Sequence, residues 1–345
     1  MVPAGTTVRS GGGCPHPAPI MRVLVTGGAG YIGSHTAKAL AARGHEPVVI
    51  DDLSTGHSGF VRWGPLVEAD LADRAAVRST LAAWSPQAVI HFAGSAYVGE
   101  SMRRPRRYFA NNSAATLGLL DLLLADGPRP FVFSSTCATY GIPESVPIGE
   151  DAPQRPVNPY GESKLFVEKV LRWYGELEGL PWAALRYFNA AGADQGGEIG
   201  EEHDPETHLI PRAMRAALGT APPLEIYGTD YPTGDGTAVR DYIHVSDLAE
   251  AHVAALDLLA REGGGHALNL GTGSGHSVRE VVRTIEEVAG RQVPATLAAR
   301  RAGDPPALVA DPGRAAAILG WKPRFSDLET IVATAWKWHS KRERP

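Results

Sequence analysis

The chain has 345 residues, of which 43% are apolar and 21% charged, and its formal net charge is −5. This length accommodates one large domain or two smaller ones, and the composition is that of an ordinary globular protein. The negative charge argues against a broad nucleic-acid-binding or membrane-binding surface. No apolar run approaches the roughly 20 residues needed to span a bilayer, so we expect neither nucleic acid nor membrane as a partner.

Residues 1–20 differ from the rest of the chain, because they are rich in Gly, Pro, Thr and Ser without any periodicity. They lack the continuous apolar stretch of a signal peptide. We interpret them as a disordered extension or an artefact of an upstream start site, since Met21 directly begins the first predicted strand. The two cysteines are Cys14, inside this tail, and Cys137. We therefore expect no structural disulfide and a reducing, cytoplasmic location.

The segment from Met21 to Gly33 predicts a strand, a glycine-rich turn and the start of a helix. Gly27, Gly30 and Gly33 have the spacing Gly-x-x-Gly-x-x-Gly. This order places bare backbone N–H groups and a helix N-terminus where a pyrophosphate binds. Asp51 closes the next predicted strand about 20 residues further on, where a carboxylate hydrogen-bonds a ribose 2′-hydroxyl. The same carboxylate would repel a 2′-phosphate, so the pattern favours NAD over NADP.

Strand-like and helix-like segments alternate through the first half of the chain. Strands are predicted at 23–25, 48–50, 66–68, 88–92 and 131–135, with helices at 34–43, 75–84 and 114–125. This alternation predicts an α/β fold with a Rossmann-type doubly wound parallel sheet, covered by helices on both faces. Ligands bind such sheets at the carboxyl ends of the strands. We therefore expect the site just after Thr26, Asp51, Phe92 and Ser135.

After about residue 188, loops rich in Gly, Asp and Pro become frequent. Strands are predicted at 241–245 and 268–270, and helices at 247–259 and 277–289. Ser277 with Glu280, and Ser326 with Glu329 at the start of the last helix, have the capping-box spacing. We expect an NAD-binding domain over residues 21–187, with returning elements near 241–275, and a smaller mixed α/β C-terminal substrate lobe over 188–345.

A second motif, at residues 158–164, is suited to proton transfer. Asn158 and Pro159 have the features of a helix N-cap and a first helical residue, which places Tyr160 and Lys164 at i and i+4 on one helical face. A free tyrosine has a pKa of about 10, and an ammonium group within ~4–6 Å or a nearby nicotinamide cation favours the phenolate. We interpret the pair as a proton shuttle for a hydroxyl undergoing oxidation. Thr136, which ends a predicted strand, is expected to bond the same oxygen.

These residues carry a resemblance to a known family. The glycine turn, the strand ending in Thr136 and the Tyr160/Lys164 pair resemble the extended short-chain dehydrogenase/reductases. More narrowly, the chain is similar to the UDP-glucose 4-epimerases (UDP-galactose 4-epimerases) over nearly everything from Met21 onward. The similar segments include 25–35, 91–94, 98–101, 111–112, 185–190, 235–245, 269–273 and 300–304.

The resemblance implies an isomerase with a tightly held NAD that inverts C4 of a UDP-sugar, UDP-glucose or UDP-galactose. Tyr160 would deprotonate the sugar 4-hydroxyl while hydride leaves C4 for the nicotinamide. The transient 4-keto sugar would rotate about its diphosphate tether, and hydride would return to the opposite face. Lys164 and Thr136 complete the implied catalytic set. The resemblance also implies a homodimer formed by two helices per subunit, with candidates around residues 108–125 and 160–177.

The resemblance further assigns residues to the two ligands. Around NAD it places Gly27, Gly30, Tyr31, Ile32, Gly33, Asp51, Asp52, Leu53, Ser54, Thr55, Gly56, Asp70, Leu71, Phe92, Ala93, Gly94, Ala96, Asn112, Tyr160, Lys164 and Phe188. Around the UDP-sugar it places Thr136, Asn189, His208, Leu209, Glu225, Ile226, Tyr227, Arg240, Arg301, Asp304 and Leu308. Arg240 and Arg301 would clamp the diphosphate. No metal is expected, since His91 and His244 have no partner at ligand spacing.

Several alternatives stay open. Leu308 stands where a bulky tyrosine is associated with excluding N-acetyl sugars, which predicts some tolerance of UDP-N-acetylglucosamine, and segment 135–141 also resembles UDP-xylose (UDP-arabinose) 4-epimerases. A nucleotide-sugar 4,6-dehydratase begins with the same oxidation, but residues 137–139 lack the Asp-Glu pair that dehydratases place there. A non-catalytic NAD-binding sensor on this fold is expected to lack Tyr160 or Lys164, and both are present.

Overall fold

The computed structural model describes residues 19–301 and 303–342. Cys14 and the predicted disordered tail, apart from residues 19 and 20, lie outside them. The first half contains the predicted strands and helices, within a few residues of their predicted positions, and further elements between and after them. They are β1 (Arg22–Thr26), α1 (Tyr31–Ala42), β2 (Glu46–Asp51), β3 (Leu66–Glu68), α2 (Arg74–Trp84), β4 (Ala88–His91), α3 (Val98–Ser101), α4 (Pro105–Tyr108), α5 (Thr116–Ala125), β5 (Phe131–Thr136), α6 (Pro159–Glu178) and β6 (Trp182–Tyr187).

The second half consists of shorter strands between helices. They are β7 (Asn189–Ala191), α7 (Leu209–Leu218), β8 (Leu224–Tyr227), β9 (Val239–Arg240), β10 (Tyr242–His244), α8 (Val245–Glu262), β11 (Gly265–Leu270), β12 (His276–Ser277), α9 (Val278–Ala289), β13 (Ala295–Ala298), β14 (Ala307–Leu308), α10 (Gly313–Leu319) and α11 (Leu328–Arg342). Among the described residues, no helix combines the length and the apolar character that crossing a membrane requires.

Within the described ranges, one seven-stranded sheet has the order β11-β6-β5-β4-β1-β2-β3, and its neighbouring strands are parallel. The chain winds outward from β1 in both directions, with β2 and β3 on one side and β4, β5, β6 and β11 on the other. The carboxyl ends of all these strands meet at one edge, and ligands bind beside the strand where the winding reverses. The predicted Rossmann-type doubly wound α/β fold is confirmed.

Helices cover both faces of this sheet. One face packs against α1 and α8 through Leu40 and Leu256, and the other against α2, α5 and α6 through Leu81, Leu120 and Leu171. Strands buried on both faces need apolar side chains at successive positions rather than at alternate ones. That requirement explains the continuous Val, Ile and Leu runs from which the strands were predicted.

The C-terminal half builds a second core. Helices α7, α9 and α11 pack together through Ile210, Ile285 and Ile331, next to the short ladders β10-β7, β13-β8 and β12-β9-β14. The chain also returns to the main sheet, since β11 pairs with β6 along its whole length. That return falls inside the predicted segment 241–275. The division of the chain at residues 187 and 188 stays a prediction.

Of the two capping boxes predicted from neighbouring residues, the structure contains one. The capping box of α9 is confirmed, because the Glu280 N–H donates to the Ser277 hydroxyl and the Ser277 N–H to the Glu280 carboxylate. The box predicted at Ser326 is wrong. Asp327 caps α11 instead, accepting a backbone N–H of the first turn at 2.8 Å, while the Ser326 hydroxyl donates to Asp247 at 2.6 Å. Asp247 is buried, and a buried carboxylate needs hydrogen bonds from its surroundings.

Candidate active site

The glycine turn between β1 and α1 has no room for side chains. Gly27 has a φ of +69°, and a Cβ atom there would lie 2.6 Å from the backbone nitrogen of Ala93. A Cβ atom at Gly33 would lie 2.3 Å from the Gly27 carbonyl oxygen. Gly30 is the N-cap residue of α1, and no side chain caps this helix. The first-turn N–H groups are therefore left for an anion, so the residues present fit the pyrophosphate of NAD.

Asp51 ends β2 and holds two loops together. Its Oδ2 accepts the Ala29 N–H and its Oδ1 accepts the Leu53 N–H, each at 2.9 Å. Burial raises the pKa of Asp51. Leu53 has a φ of +56°, which is uncommon outside glycine, and a Cβ atom at Gly56 would lie 2.9 Å from Asp51 Oδ1. The predicted cofactor loop over residues 51–56 thus folds closely around the carboxylate expected to bind ribose.

Other predicted cofactor residues follow the neighbouring strands at the same edge of the sheet. Asn112, on a π-helical segment (Phe109–Ala115), accepts the Ser95 N–H at 2.8 Å and donates to the Ser95 carbonyl at 3.0 Å. This pairing holds the loop after β4, which contains residues 92–96. Ile32 and Leu71 pack into the hydrophobic core. Their contact with a cofactor would therefore be made by the backbone.

The proposed proton shuttle lies where α6 meets the end of β5. The Asn158 side chain accepts the Gly161 N–H at 2.8 Å, so the predicted N-cap is confirmed. Tyr160 and Lys164 are buried on the inner face of α6, beside the equally buried Thr136. The three residues predicted to act in catalysis are therefore brought to one place at the carboxyl edge of the sheet.

The ammonium group of Lys164 has a backbone partner at the end of β5. Its Nζ donates to the Ser134 carbonyl at 2.9 Å and lies 4.8 Å from the centre of the Phe133 ring. Burial lowers the pKa of Lys164 to about 8. Burial also raises the pKa of Tyr160, and a contact with the Thr136 hydroxyl opposes this rise only in part. The chain alone thus does not make Tyr160 acidic, and the lowering of its pKa stays a prediction for the ligand-bound site.

A buried ion pair behind this site was missed from the sequence. Arg186 on β6 donates to both carboxylate oxygens of Glu168, at 3.0 and 2.6 Å, and both side chains are at most 3% exposed. Ser135, the neighbour of Thr136, donates to the same carboxylate at 2.5 Å. Glu168 follows Lys164 by four residues on α6. The pair therefore ties the helix that carries the proton shuttle to β5 and β6. Its one signal in the sequence was the i, i+4, i+8 spacing of Tyr160, Lys164 and Glu168.

The predicted diphosphate clamp lies on the C-terminal elements. Arg240 on β9 forms an ion pair with Asp304, and its register partner on β14 is Leu308. The Arg301 guanidinium lies over the Tyr227 ring, 4.0 Å from its centre. Both arginines are therefore held by partners within the protein.

Three further predicted substrate residues lie on β7 and β8. Asn189 on β7 donates to the Asp241 carbonyl at 3.0 Å. Glu225 accepts the hydroxyl of Tyr227 at 2.5 Å. Ile226, which lies between Glu225 and Tyr227 on β8, is buried in the second core. Its side chain faces away from solvent, so contact with a nucleotide would be made by its backbone.

His208 precedes α7, whose first residue is Leu209, and belongs to a cluster that the sequence analysis did not predict. Its Nδ1 lies 2.8 Å from Glu201 Oε1 and 3.0 Å from Glu206 Oε1. Burial opposes its protonation, but the two carboxylates outweigh burial and raise the pKa of His208 to about 10. The same carboxylates raise the pKa of His203 to about 9. The predicted substrate residue is thus one member of a group of four.

The comparisons with known proteins agree with this geometry. The model of the NAD dependent epimerase/dehydratase family matches residues 23–271. The chain belongs to this family. It is 53% identical over 322 residues to the UDP-glucose 4-epimerase of Rhizobium meliloti (strain 1021), covering 93% of this chain and 98% of that relative.

Two solved structures are similar over nearly the full length. One is a UDP-glucose 4-epimerase from Brucella ovis in complex with NAD, with 57% identity, a TM-score of 0.89 and coverage of 92% of this chain and 97% of that chain. The other is a UDP-glucose-4-epimerase from Stenotrophomonas maltophila with bound NAD and formylated UDP-arabinopyranose. It has 40% identity, a TM-score of 0.91 and coverage of 94% of this chain and 99% of that chain.

We expect Glu168→Gln to lower the free energy of unfolding by about 3 kcal/mol, because it leaves the Arg186 guanidinium buried without its counter-charge. Urea unfolding followed by circular dichroism measures the change. Glu162→Gln, at an exposed position of the same helix, is the matched control and should change stability by less than about 0.5 kcal/mol. Equal stabilities of the two variants would contradict the role assigned to the pair.

Proposed function

We propose that the protein is an isomerase that inverts C4 of a UDP-sugar, with NAD as a tightly held cofactor. Two neighbouring features carry this proposal. The first is a glycine turn that has room only for backbone, and the second is the pair of Tyr160 and Thr136, where α6 meets the end of β5. These groups lie at the same edge of one sheet, separated by β4. The relatives described above are named UDP-glucose 4-epimerases, and both solved structures hold NAD.

The residues of the chain would handle the proton of the reaction. The glycine turn and Asp51 would hold NAD, which would supply reversible hydride transfer at C4 of the sugar, with return to the opposite face. Tyr160 would take the proton of the 4-hydroxyl and give it back, while Thr136 bonds the same oxygen. Because burial raises the pKa of Tyr160, a positive charge bound in the pocket is needed to favour the phenolate. Lys164 and the nicotinamide would both supply positive charge.

Inversion requires that the nucleotide stay bound while the sugar turns. Arg240 and Arg301 are held by Asp304 and Tyr227, so they need little reordering to grip a diphosphate, and guanidinium groups suit phosphate geometry. On the sugar side, Leu308 supplies an apolar surface without hydrogen-bonding groups. The proposal therefore combines a firm grip on UDP with a loose grip on the sugar.

We expect Tyr160→Phe to slow epimerisation by about 10²–10⁴-fold, because the variant retains the ring but loses the group that transfers the proton. Conversion of UDP-galactose to UDP-glucose, followed by nucleotide-sugar chromatography, measures the loss. The bound NAD is quantified after denaturing the protein.

Tyr174→Phe, further along α6, is the matched control and should retain activity. Normal turnover by Tyr160→Phe would show that Tyr160 is not the base. An inactive wild type that still holds NAD would instead favour the sensor alternative.

We propose UDP-glucose and UDP-galactose as the preferred substrates, with UDP-xylose and UDP-arabinose, or UDP-N-acetylglucosamine, as alternatives. Leu308 packs beside the apolar cluster that contains Tyr140 and Phe188. A pentose lacks C6, and a pocket that accepts C6 rejects the smaller sugar only weakly. A leucine at position 308 also occupies less space than a tyrosine. Together these features support a pocket that tolerates more than one sugar.

We expect the wild type to turn over UDP-N-acetylgalactosamine as well as UDP-galactose, and Leu308→Tyr to lose the N-acetyl substrate selectively. The larger ring would fill the space that an acetamido group needs, which corresponds to about 10-fold or more in the ratio of kcat/KM values. Leu297→Tyr, at an exposed position, is the control. No detectable turnover of the N-acetyl sugar beside robust turnover of UDP-galactose would refute the expected tolerance.

We also propose a homodimer formed by α6 and the helical region around residues 108–125. Phe166, Trp173 and Leu177 lie on one face of α6, since they are spaced by seven and four residues. Trp173 is 60% exposed and Leu177 76% exposed. Contiguous exposed apolar side chains mark interaction sites, and symmetric dimers are the commonest oligomers. The supporting observation is therefore an apolar stripe on a predicted interface helix.

We expect Trp173→Glu to convert the dimer into a monomer, because a charge would be buried in the apolar contact. Light scattering on eluting protein measures the mass. Leu297→Glu places the same charge on the exposed β13 and should leave the mass unchanged. A wild-type protein that elutes as a monomer would rule out this interface.

We place the protein in a reducing compartment, the cytoplasm. Cys137 is a free thiol at the end of β5, next to Thr136. Burial raises its pKa to about 12, so it is the thiol rather than the reactive thiolate. A free cysteine beside catalytic residues is compatible with reducing conditions.

A further inference from the structure

Four potential metal ligands meet in the loop between β7 and α7. Glu201, His203, Glu206 and His208 each offer one nitrogen or oxygen, and these four atoms lie within 4.8 Å of one another. The carboxylate side chains are almost fully buried, with 4% exposure for Glu201 and 2% for Glu206. Four donors that converge from only eight residues of chain resemble the compact ligand sets of structural metal sites.

Two atoms of this cluster lack the hydrogen bonds that burial demands. His203 Nδ1 and Glu206 Oε2 are buried without a hydrogen-bond partner. They lie 3.5 Å apart, and His203 Nδ1 lies 3.2 Å from Glu201 Oε1, but their orientations do not form hydrogen bonds. Buried polar groups are nearly always satisfied by protein, water or an ion. The ion pairs that these atoms form therefore leave both without a hydrogen bond, whereas a shared cation would satisfy both.

The four donors lie close enough together to converge on one small ion after small shifts of their side chains. Bonds of 2.0–2.2 Å to nitrogen and oxygen, as Zn²⁺ forms them, place tetrahedral ligand atoms about 3.3–3.6 Å apart. Two separations, 3.2 Å from Glu201 Oε1 to His203 Nδ1 and 3.5 Å from His203 Nδ1 to Glu206 Oε2, are close to this range. The His208 Nδ1 atom lies closer, at 2.8 Å from Glu201 Oε1 and 3.0 Å from Glu206 Oε1, and would move outward by about half an ångström to bind the ion. A divalent ion would displace the protons that the two carboxylates hold on the imidazoles, and the two carboxylates would then balance its charge.

We propose that Glu201, His203, Glu206 and His208 form a structural site for one divalent transition-metal ion of the Zn²⁺ class. Imidazole and carboxylate donors together favour such an ion over Ca²⁺ or Mg²⁺, which prefer oxygen ligands throughout. With four protein ligands the site is closed. It therefore leaves no position for a reacting molecule.

The position of the cluster indicates what the ion would stabilise. The His203 ring meets the Tyr31 ring edge-on at 6.2 Å and the Tyr97 ring at 6.1 Å. Tyr31 begins α1 directly after the glycine turn, and its hydroxyl donates to the Gly192 carbonyl at 2.6 Å. The ion would thus brace the loop before α7 against the first turn of the helix predicted to hold the pyrophosphate.

The test uses the full-length protein, stripped with EDTA, desalted and titrated with Zn²⁺ in a calorimeter. We expect one Zn²⁺ per chain, retained through gel filtration and counted by elemental analysis, together with a higher melting temperature. Glu206→Gln should weaken Zn²⁺ binding at least 10-fold and abolish the Zn²⁺-dependent rise in melting temperature. His208→Gln provides a second variant if Glu206→Gln does not fold.

Glu198→Gln, in the same loop but outside the cluster, is the matched control and should bind Zn²⁺ like the wild type. Equal binding by Glu206→Gln and Glu198→Gln would mean adventitious surface binding and would overturn the proposal. A wild type that takes up no stoichiometric Zn²⁺ would overturn it as well, since the cluster would then be a set of ion pairs only. Both results are read from Zn²⁺ binding and melting temperature rather than from epimerase activity, so failure of this proposal is distinguished from failure of the proposed function.

Discussion

The close approach of the Gly27 backbone to Ala93 is the constraint on which the candidate site depends. Only a residue without a side chain fits there, and only a left-handed conformation turns the chain from β1 into α1 at that distance. The turn thereby brings the start of a helix to the point where the sheet reverses its winding. Asp51 then uses both carboxylate oxygens to hold the turn and the following loop. The cofactor cradle is thus a property of backbone packing before any ligand contributes.

Burial governs the chemistry at the end of β5, which β4 separates from β1. Tyr160 and Lys164 are removed from water, which favours the neutral form of both groups and makes their protonation sensitive to any charge that binds nearby. In the proposed reaction, a cation bound beside Tyr160 would supply the charge that favours its phenolate. The geometry of the site is maintained by the Glu168–Arg186 pair, which joins α6 to β5 and β6 where no solvent can substitute for a lost partner.

The C-terminal elements provide a different kind of surface. The two arginines of the predicted clamp are held by a carboxylate and an aromatic ring, and the neighbouring pocket wall is apolar. The cluster of Glu201, His203, Glu206 and His208 lies where this half of the chain meets α1, the helix that follows the glycine turn. The charged side chains thus lie where a nucleotide is to be held, and Leu308 supplies an apolar wall at the place proposed for the sugar. This division suits a reaction in which one part of the substrate must turn while the other is retained.

Local chemistry alone determined a large part of this protein. The glycine spacing, Asp51 at the end of β2, the Asn158 and Ser277 caps and the alternating strands depend on residues near one another in the chain, so the sequence predicted them. Tertiary structure decided the rest. Lys164 bonds the Ser134 carbonyl, Ser326 bonds Asp247, and Glu168 pairs with Arg186. The physical reason is that a buried charge takes whichever partner the packed fold brings within reach, and that partner is set by three-dimensional packing rather than by spacing along the chain.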